Sequence, residues 1–220
     1  YYVTTGVRNV SLGGLSLTAG TAAASSGSDN TAVGYAALYR NTTGSYNVGV
    51  GGSDGSASAL SSNTTGSNNT ALGVGSLGSN TTASNNTAVG YQAGYSNTTG
   101  TESTAVGYQA GYSIGTSGGQ TVLGWASGYS TTGLYNTFVG HSSGYYVSTG
   151  AKNTILGRYN GNQGGLDIRT ADNYIVLSDG DGNPRGIFEG ANFLMGTVTT
   201  SYGSISAKFT SASATSGSAG

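Results

Sequence analysis

Side chains able to do acid–base or metal chemistry are scarce in this chain and scattered. His141 is the sole histidine, at a position that elsewhere holds Tyr35, Tyr91, Tyr108 and Trp125, so it reads as a surface substitution rather than a base. Glycoside hydrolysis needs two carboxyl groups about 5–10 Å apart, but residues 1–151 offer only Asp29, Asp54 and Glu102. Asp167, Asp172 and Glu189 could converge between chains, though nothing in their spacing requires it. Asp179, Asp181 and Asn183 imitate the opening of a calcium loop. However, Pro184 stands where the invariant glycine belongs and Gly190 where a bidentate Glu should close the site, so a hairpin turn is expected instead. The glycines include no phosphate loop joining a strand to a helix, and the basic footprint of a nucleic-acid binder is missing. Neither an enzyme nor a cofactor is expected.

Two residue sets could bind or be modified. Tyr35, Tyr91, Tyr108 and Trp125 fall in one column of a repeat, and Tyr39, Tyr95, Tyr112, Tyr129 and Tyr145 in another. Stacked aromatic rows can take sugar faces, which makes Tyr91, Tyr95, Tyr108, Tyr112, Trp125 and Tyr129 candidate glycan contacts; they equally stabilise adjacent strands. Asn41, Asn63, Asn80 and Asn97, with Asn9, Asn68 and Asn85, head Asn-X-Ser/Thr sequons and are candidate N-glycosylation sites.

These residues are positioned by one recurring phrase, cleanest at Asn86-Thr87-Ala88-Val89-Gly90-Tyr91. Its glycine recurs as Gly13, Gly34, Gly51, Gly73, Gly90, Gly107, Gly124, Gly140 and Gly157, at spacings of 21, 17, 22, 17, 17, 17, 16 and 17 residues. Such periodicity predicts coils stacked into a rod, with insertions such as Ser53-Asp54-Gly55-Ser56-Ala57-Ser58 looping from one side. The fold class expected is all-β: a parallel β-roll or β-solenoid of about nine coils, roughly 40 Å long at about 4.8 Å per coil.

Within each coil the residue before the glycine is always Val or Leu, from Leu12 to Leu156, and is read as the inward column. The β-branched residue two earlier, including Thr31, Thr87 and Thr104, shares that side. The residue between them, from Ser11 and Ala32 to Val122, Phe138 and Ile155, is expected to face outward and be covered by a neighbouring chain or by residues after 160. The Asn heading each unit, such as Asn69 and Asn86, suits a turn and could stack into a ladder. A second strand is expected at Tyr91–Tyr95 and Tyr108–Tyr112. So thin a coil buries little, which predicts several chains side by side.

Charge marks a boundary. Residues 1–151 carry five charged side chains and residues 152–220 carry ten. We therefore divide the chain into a repeat region (1–160), a β-hairpin or meander segment (161–203) and a Ser/Ala/Gly-rich strand or linker (204–220). Leu166–Thr170, Tyr174–Ser178 and Gly186–Glu189 read as strands separated by turn residues. With 7% charged and 35% hydrophobic residues the chain is apolar-poor, but a net charge of −1 argues against disorder. There is no cysteine to form disulfides, and no stretch reaches the roughly 20 apolar residues needed to span a bilayer.

Asn86-Thr87-Ala88-Val89-Gly90 and Ser103-Thr104-Ala105-Val106-Gly107 resemble the Ala-Ile-Gly-centred head repeats of trimeric autotransporter adhesins. Similar Asn-Thr-Ala-Val-Gly-Tyr-Gln-Ala-Gly repeats look like those of phage tail-fibre and virion-associated proteins. The likeness covers about residues 9–160; the unit here is longer than the adhesin head's, and its Asn lies one position nearer the Gly. It implies left-handed rolls joined as trimers, and residues 162–200 look like the β-rich segments that follow such repeats in tail fibres. The expected function is a non-enzymatic structural fibre segment of a tail fibre or similar cell-binding appendage, extracellular or virion-borne. Its partners would be itself, as a homotrimer, and cell-surface glycans, without nucleic acid or membrane insertion. Alternatives are a subunit of an end-to-end extracellular or cell-surface filament, a glycan- or ice-binding solenoid, and a polysaccharide-degrading spike using Asp167 or Glu189. Ice binding would require solvent-facing threonines.

Overall fold

The computed structural model describes residues 5–20, 25–53, 57–189 and 192–194. The expected linker at 204–220 and the tip of the insertion at 54–56 lie outside the described residues. The described chain is all-β. Nine three-residue strands, one per coil, end on the residue before each recurring glycine: β1 (Val10–Leu12), β2 (Thr31–Val33), β3 (Val48–Val50), β4 (Thr70–Leu72), β5 (Thr87–Val89), β6 (Thr104–Val106), β7 (Thr121–Leu123), β8 (Thr137–Val139) and β9 (Thr154–Leu156). Each pairs with the next in parallel and in unbroken register, so every column of the repeat is a row in space. The result is the expected solenoid of nine coils.

The recurring glycine is what lets coils approach this closely. At Gly90 φ is +131°, and a Cβ there would lie 2.4 Å from the Gly107 carbonyl oxygen. No side chain fits such a gap between two backbones, and the backbone angle itself favours glycine.

The inside and outside of the strands are the reverse of the sequence expectation. The middle residues Ala32, Ala71, Ala88, Val122, Phe138 and Ile155 are fully buried. Thr87 and Val106 beside them are exposed, and Thr31 and Thr104 half-buried. Leu12, Leu72 and Leu156 likewise face solvent, at 66%, 38% and 44% exposure. Alternation fixes only that middle and flanks lie on opposite sides. The interior beneath a three-residue strand is narrow, and it takes a small side chain because the facing wall supplies the large one.

That wall is Leu38, Leu60 and Leu77, all buried. In the following coils their column becomes Gly94, Gly111, Gly128 and Gly144, as the strand column swells from Ala to Val and Phe. A Cβ on Gly128 would lie 2.7 Å from the Val122 side chain, and one on Gly144 would lie 2.5 Å from the Phe138 ring. In the two coils between, where Ala88 and Ala105 are still small, Leu77 fills the space at Gly94 and Ile114 that at Gly111; a Cβ at these glycines would lie 3.1 and 2.5 Å from them, so the core stays closely packed.

The second strand expected in each coil is absent from the described residues: Tyr91–Tyr95 and Tyr108–Tyr112 are turns. Gln92 (φ 52°) with Gly94 (φ 59°), and Gln109 (φ 51°) with Gly111 (φ 59°), adopt left-handed backbone at alternate positions, which no extended strand can contain.

After the ninth coil, β10 (Asn162–Gln163) and β11 (Leu166–Asp167) form a small antiparallel pair of their own. The strand expected over Leu166–Thr170 is therefore only two residues long. β12 (Tyr174–Ser178) returns to the main sheet, parallel to β9, and sets Val176 opposite Ile155 as a tenth core position. β13 (Pro184–Glu189) and β14 (Asn192–Leu194) add antiparallel strands beyond it. The buried ring of Tyr159 plugs this end of the core, its hydroxyl donating to the Leu166 carbonyl at 2.8 Å.

Candidate functional site

Three sets of rows run along the rod: asparagine ladders inside it, aromatic ladders on its turns, and an aliphatic–threonine face on its sheet.

The expected Asn ladder is present. The Oδ1 of an Asn head accepts the N–H of the next head: Asn47 N–H donates to Asn30 at 3.0 Å, Asn69 N–H to Asn47 at 3.0 Å and Ser103 N–H to Asn86 at 2.9 Å, while Ser103 accepts the Gln120 N–H through its hydroxyl at 3.3 Å. A second ladder runs through Asn41, Asn63, Asn80 and Asn97, at most 1% exposed. Asn63 Nδ2 donates to Asn41 Oδ1 and Asn80 Nδ2 to Asn63 Oδ1, both at 2.8 Å, and each amide also closes its own turn onto a carbonyl such as Gly66 or Ala83. The expectation of N-glycosylation at these four residues is overturned, because a glycan needs a solvent-facing amide. They are satisfied buried polar groups instead. From the sixth coil the Asn gives way to Ile114, Thr131 and Val147, all buried, where the strand column becomes larger.

On the turns, Tyr91, Tyr108, Trp125 and His141 stack with ring centroids 5.4, 5.9 and 4.8 Å apart. Tyr95, Tyr112, Tyr129 and Tyr145 form a parallel stack at 5.3, 5.0 and 5.0 Å. Burial, with smaller contributions from neighbouring tyrosines, raises the Tyr112 and Tyr145 hydroxyls above the ordinary phenol value. The candidate glycan contacts therefore stand in two continuous stacks whose ring faces cover one another, with Tyr91, Tyr108 and Trp125 at 46%, 43% and 47% exposure. Tyr35 and Tyr39 occupy the same columns, but Gly52 and Val74, and Ser61 and Gly78, separate them from the stacks.

The third surface is the outer side of the sheet, missed by the sequence reading. One row runs Val10, Thr31, Val48, Thr70, Thr87, Thr104, Thr121, Thr137, Thr154 and Ile175. The other runs Leu12, Val33, Val50, Leu72, Val89, Val106, Leu123, Val139, Leu156 and Leu177, aliphatic throughout. Neither contains a charge.

The weak metal candidates are otherwise engaged. Asp179 Oδ1 accepts the Asp181 and Asn183 N–H groups at 3.0 and 2.9 Å, and Oδ2 accepts the Arg185 guanidinium. The Asn183 N–H, reinforced by Arg185, lowers the Asp179 carboxyl to about 2. This is a turn locked by its own backbone and an internal cation, which leaves Asp179 little to offer a metal. Asp167 is forked by Arg169 at 2.9 and 2.7 Å, and Glu189 accepts the Tyr174 hydroxyl at 2.6 Å. His141 stacks on Trp125, with its Nδ1 3.1 Å from the Ser142 hydroxyl. No described helix is long and apolar enough to cross a membrane.

Comparison with protein-family models, curated proteins and solved structures finds no match. Any functional reading therefore rests on these three surfaces.

Proposed function

We propose that this chain is a non-enzymatic segment of an extracellular or virion-borne fibre, in which copies of the chain associate side by side. The observation that carries the reading is the uncharged outer face of the sheet. Ten strands at about 4.8 Å make a strip roughly 43 Å long and about 10 Å wide, on the order of 400 Å². By size alone it matches the largest patch of an ordinary monomer, a patch that is often functional; what sets it apart is an uncharged, unbroken run along every coil. Its regularity suits a copy of the same rod, whose rows have the same pitch, and the resemblance to adhesin heads supplies the count of three. The mechanism is mechanical: backbone bonding from coil to coil gives length, and Asn ladders hold the register. An end-to-end filament is the rival assembly, and particle images separate the two because a fibre segment has fixed length.

The test is molar mass by light scattering for the wild type and for Leu72→Asp with Val106→Asp. A trimer that becomes a folded monomer supports the proposal. A wild-type monomer at tens of micromolar overturns it.

A second reading gains support from the same face. Ice binding requires solvent-facing threonines, and Thr31, Thr87 and Thr104 lie on the outer side of the sheet, not inward as the sequence suggests. Seven of the ten residues in the first row are threonines on the solvent side. Thermal hysteresis in a preparation shown to be monomeric would favour ice binding; its absence would leave association as the use of this face.

A further inference from the structure

The outer face of the sheet is too narrow to hold two copies together by itself. Its strip of roughly 400 Å² is about half of the ~800 Å² that each partner gives to a standard interface. Surface beside it has to join the contact, and the two columns that border the strip are unlike. One lies two residues before the threonine row and carries the charges of Arg8, Asp29, Glu102 and Lys152, with Tyr46 and Tyr135 as its aromatic rings. The other lies two residues after the aliphatic row, and from Tyr35 to Trp125 it holds no charge. Two residues of chain span at most about 7 Å, so this second column adjoins the aliphatic row in every coil. Its Tyr91, Tyr108 and Trp125 stack face to face at 5.4 and 5.9 Å, which leaves their ring edges outward. These three and Tyr35 each keep nearly half their surface exposed. At about 150–250 Å² for a whole aromatic side chain, the four add roughly 350 Å² and bring the strip close to the standard size.

We infer that the edge of this aromatic ladder is part of the contact between copies of the chain, and that the charged column on the other side of the strip stays in water. The inference rests on the side-by-side reading and adds which flank of the sheet the neighbouring copy covers. Rings already fixed in a stack lose little conformational freedom when a neighbour packs on their edges, so the contact costs little ordering. Tyr and Trp are also the residues that most often anchor such contacts. Covering the other flank would strip water from Glu102 and Lys152, which make no ion pair among the described residues. These two belong to the sixth and ninth coils, about 14 Å apart along the rod, so copies standing level could not pair them with each other.

Trp125 is the sole tryptophan and stands in the ladder, so quenching of its emission by acrylamide reads this flank alone. Quenching would be measured on the full chain across a dilution series, with molar mass by light scattering on the same samples. The expected result is a quenching constant at least threefold lower in the associated chain than in the monomer. Tyr91→Arg with Tyr108→Arg puts two charges on the ladder, in a column where Arg158 shows that the fold accepts arginine, and should weaken association at least tenfold with an unchanged circular dichroism spectrum. Asn68→Arg with Asn85→Arg puts two charges in adjacent coils of the other flank, in the column of Arg8, and should change association less than twofold. Three results would overturn the inference while leaving side-by-side association in place: Trp125 quenched as fully in the associated chain as in the monomer, a ladder variant that associates like the wild type, or equal weakening by the two double variants. A wild type that is monomeric at tens of micromolar removes the fibre reading, and this inference with it.

Discussion

Gln120 is where the inner ladder misfits, and Gln120→Asn should make the protein more stable. In other coils the head Asn accepts the next coil's N–H through Oδ1, as Asn136 does for Asn153 at 2.9 Å. Gln120 is 1% exposed, its Nε2 is pressed against the Gly133 carbonyl, and its Oε1 has no partner. The extra methylene carries the carboxamide past the Asn136 N–H. Pairing the orphaned buried acceptor with that N–H is worth about 1–3 kcal/mol. Loss of one buried methylene offsets about 0.8 kcal/mol. The net expectation is a gain of about 1–2 kcal/mol, or roughly 3–6 °C in melting temperature for a chain of this size. Thermal and urea denaturation followed by circular dichroism would measure it, with Asn86→Gln as the reverse change, expected to cost about 2 kcal/mol. If Gln120→Asn proves neutral or destabilising, the ladder does not carry the register as described.

Four further outcomes follow from the geometry. Gly107→Ala, at φ +133° with its Cβ 2.3 Å from the Gly124 carbonyl oxygen, should cost about 3–5 kcal/mol in urea denaturation, whereas Gly180→Ala, with nothing within 4 Å, should stay within about 0.5 kcal/mol. Asn63→Ala removes a donor to Asn41 and Gly66 and an acceptor for Asn80, and should cost about 3 kcal/mol, while mass spectrometry of protein from a glycosylating host should find Asn41, Asn63, Asn80 and Asn97 bare. Because the Asp179 carboxyl sits at about 2 in the folded chain, below its unfolded value, its stabilisation of the Asp179–Pro184 turn is complete above about pH 4. It should fade as pH falls towards 2, visible as faster amide exchange at Asp181 and Asn183. Burial raises the Tyr159 hydroxyl, so its contribution holds below about pH 10 and is lost above it; absorbance titration should show this tyrosine ionising last, together with unfolding.

The period, the strand positions and the ladders were legible because each depends on a single column: a glycine that two backbones require, an Asn that bonds its neighbour, a ring that stacks. The inside of the strand was not legible from the strand alone, since alternation has two solutions and aliphatic Val89 or Val106 seemed the better core than Ala88 or Ala105. The deciding signal lay outside the strand. Leu38, Leu60 and Leu77 lie in coils with small strand residues, and Gly128 and Gly144 face Val122 and Phe138, an inverse relation of volumes in those coils that opposing walls of one core produce. The sequons misled because a buried ladder of Asn followed by turn-forming Thr spells the same tripeptide.

The absence of cysteine allows the central claim, a small buried strand column beneath an outer face covered by other copies, to be tested by thiol labelling. Single-cysteine chains Ala88→Cys and Val106→Cys would be treated with a maleimide across a dilution series. The account predicts that Ala88→Cys resists labelling throughout, and that Val106→Cys is protected when concentrated and reacts on dilution. Rapid labelling of Ala88→Cys in the folded chain, or equal reactivity of Val106→Cys at every concentration, would contradict it.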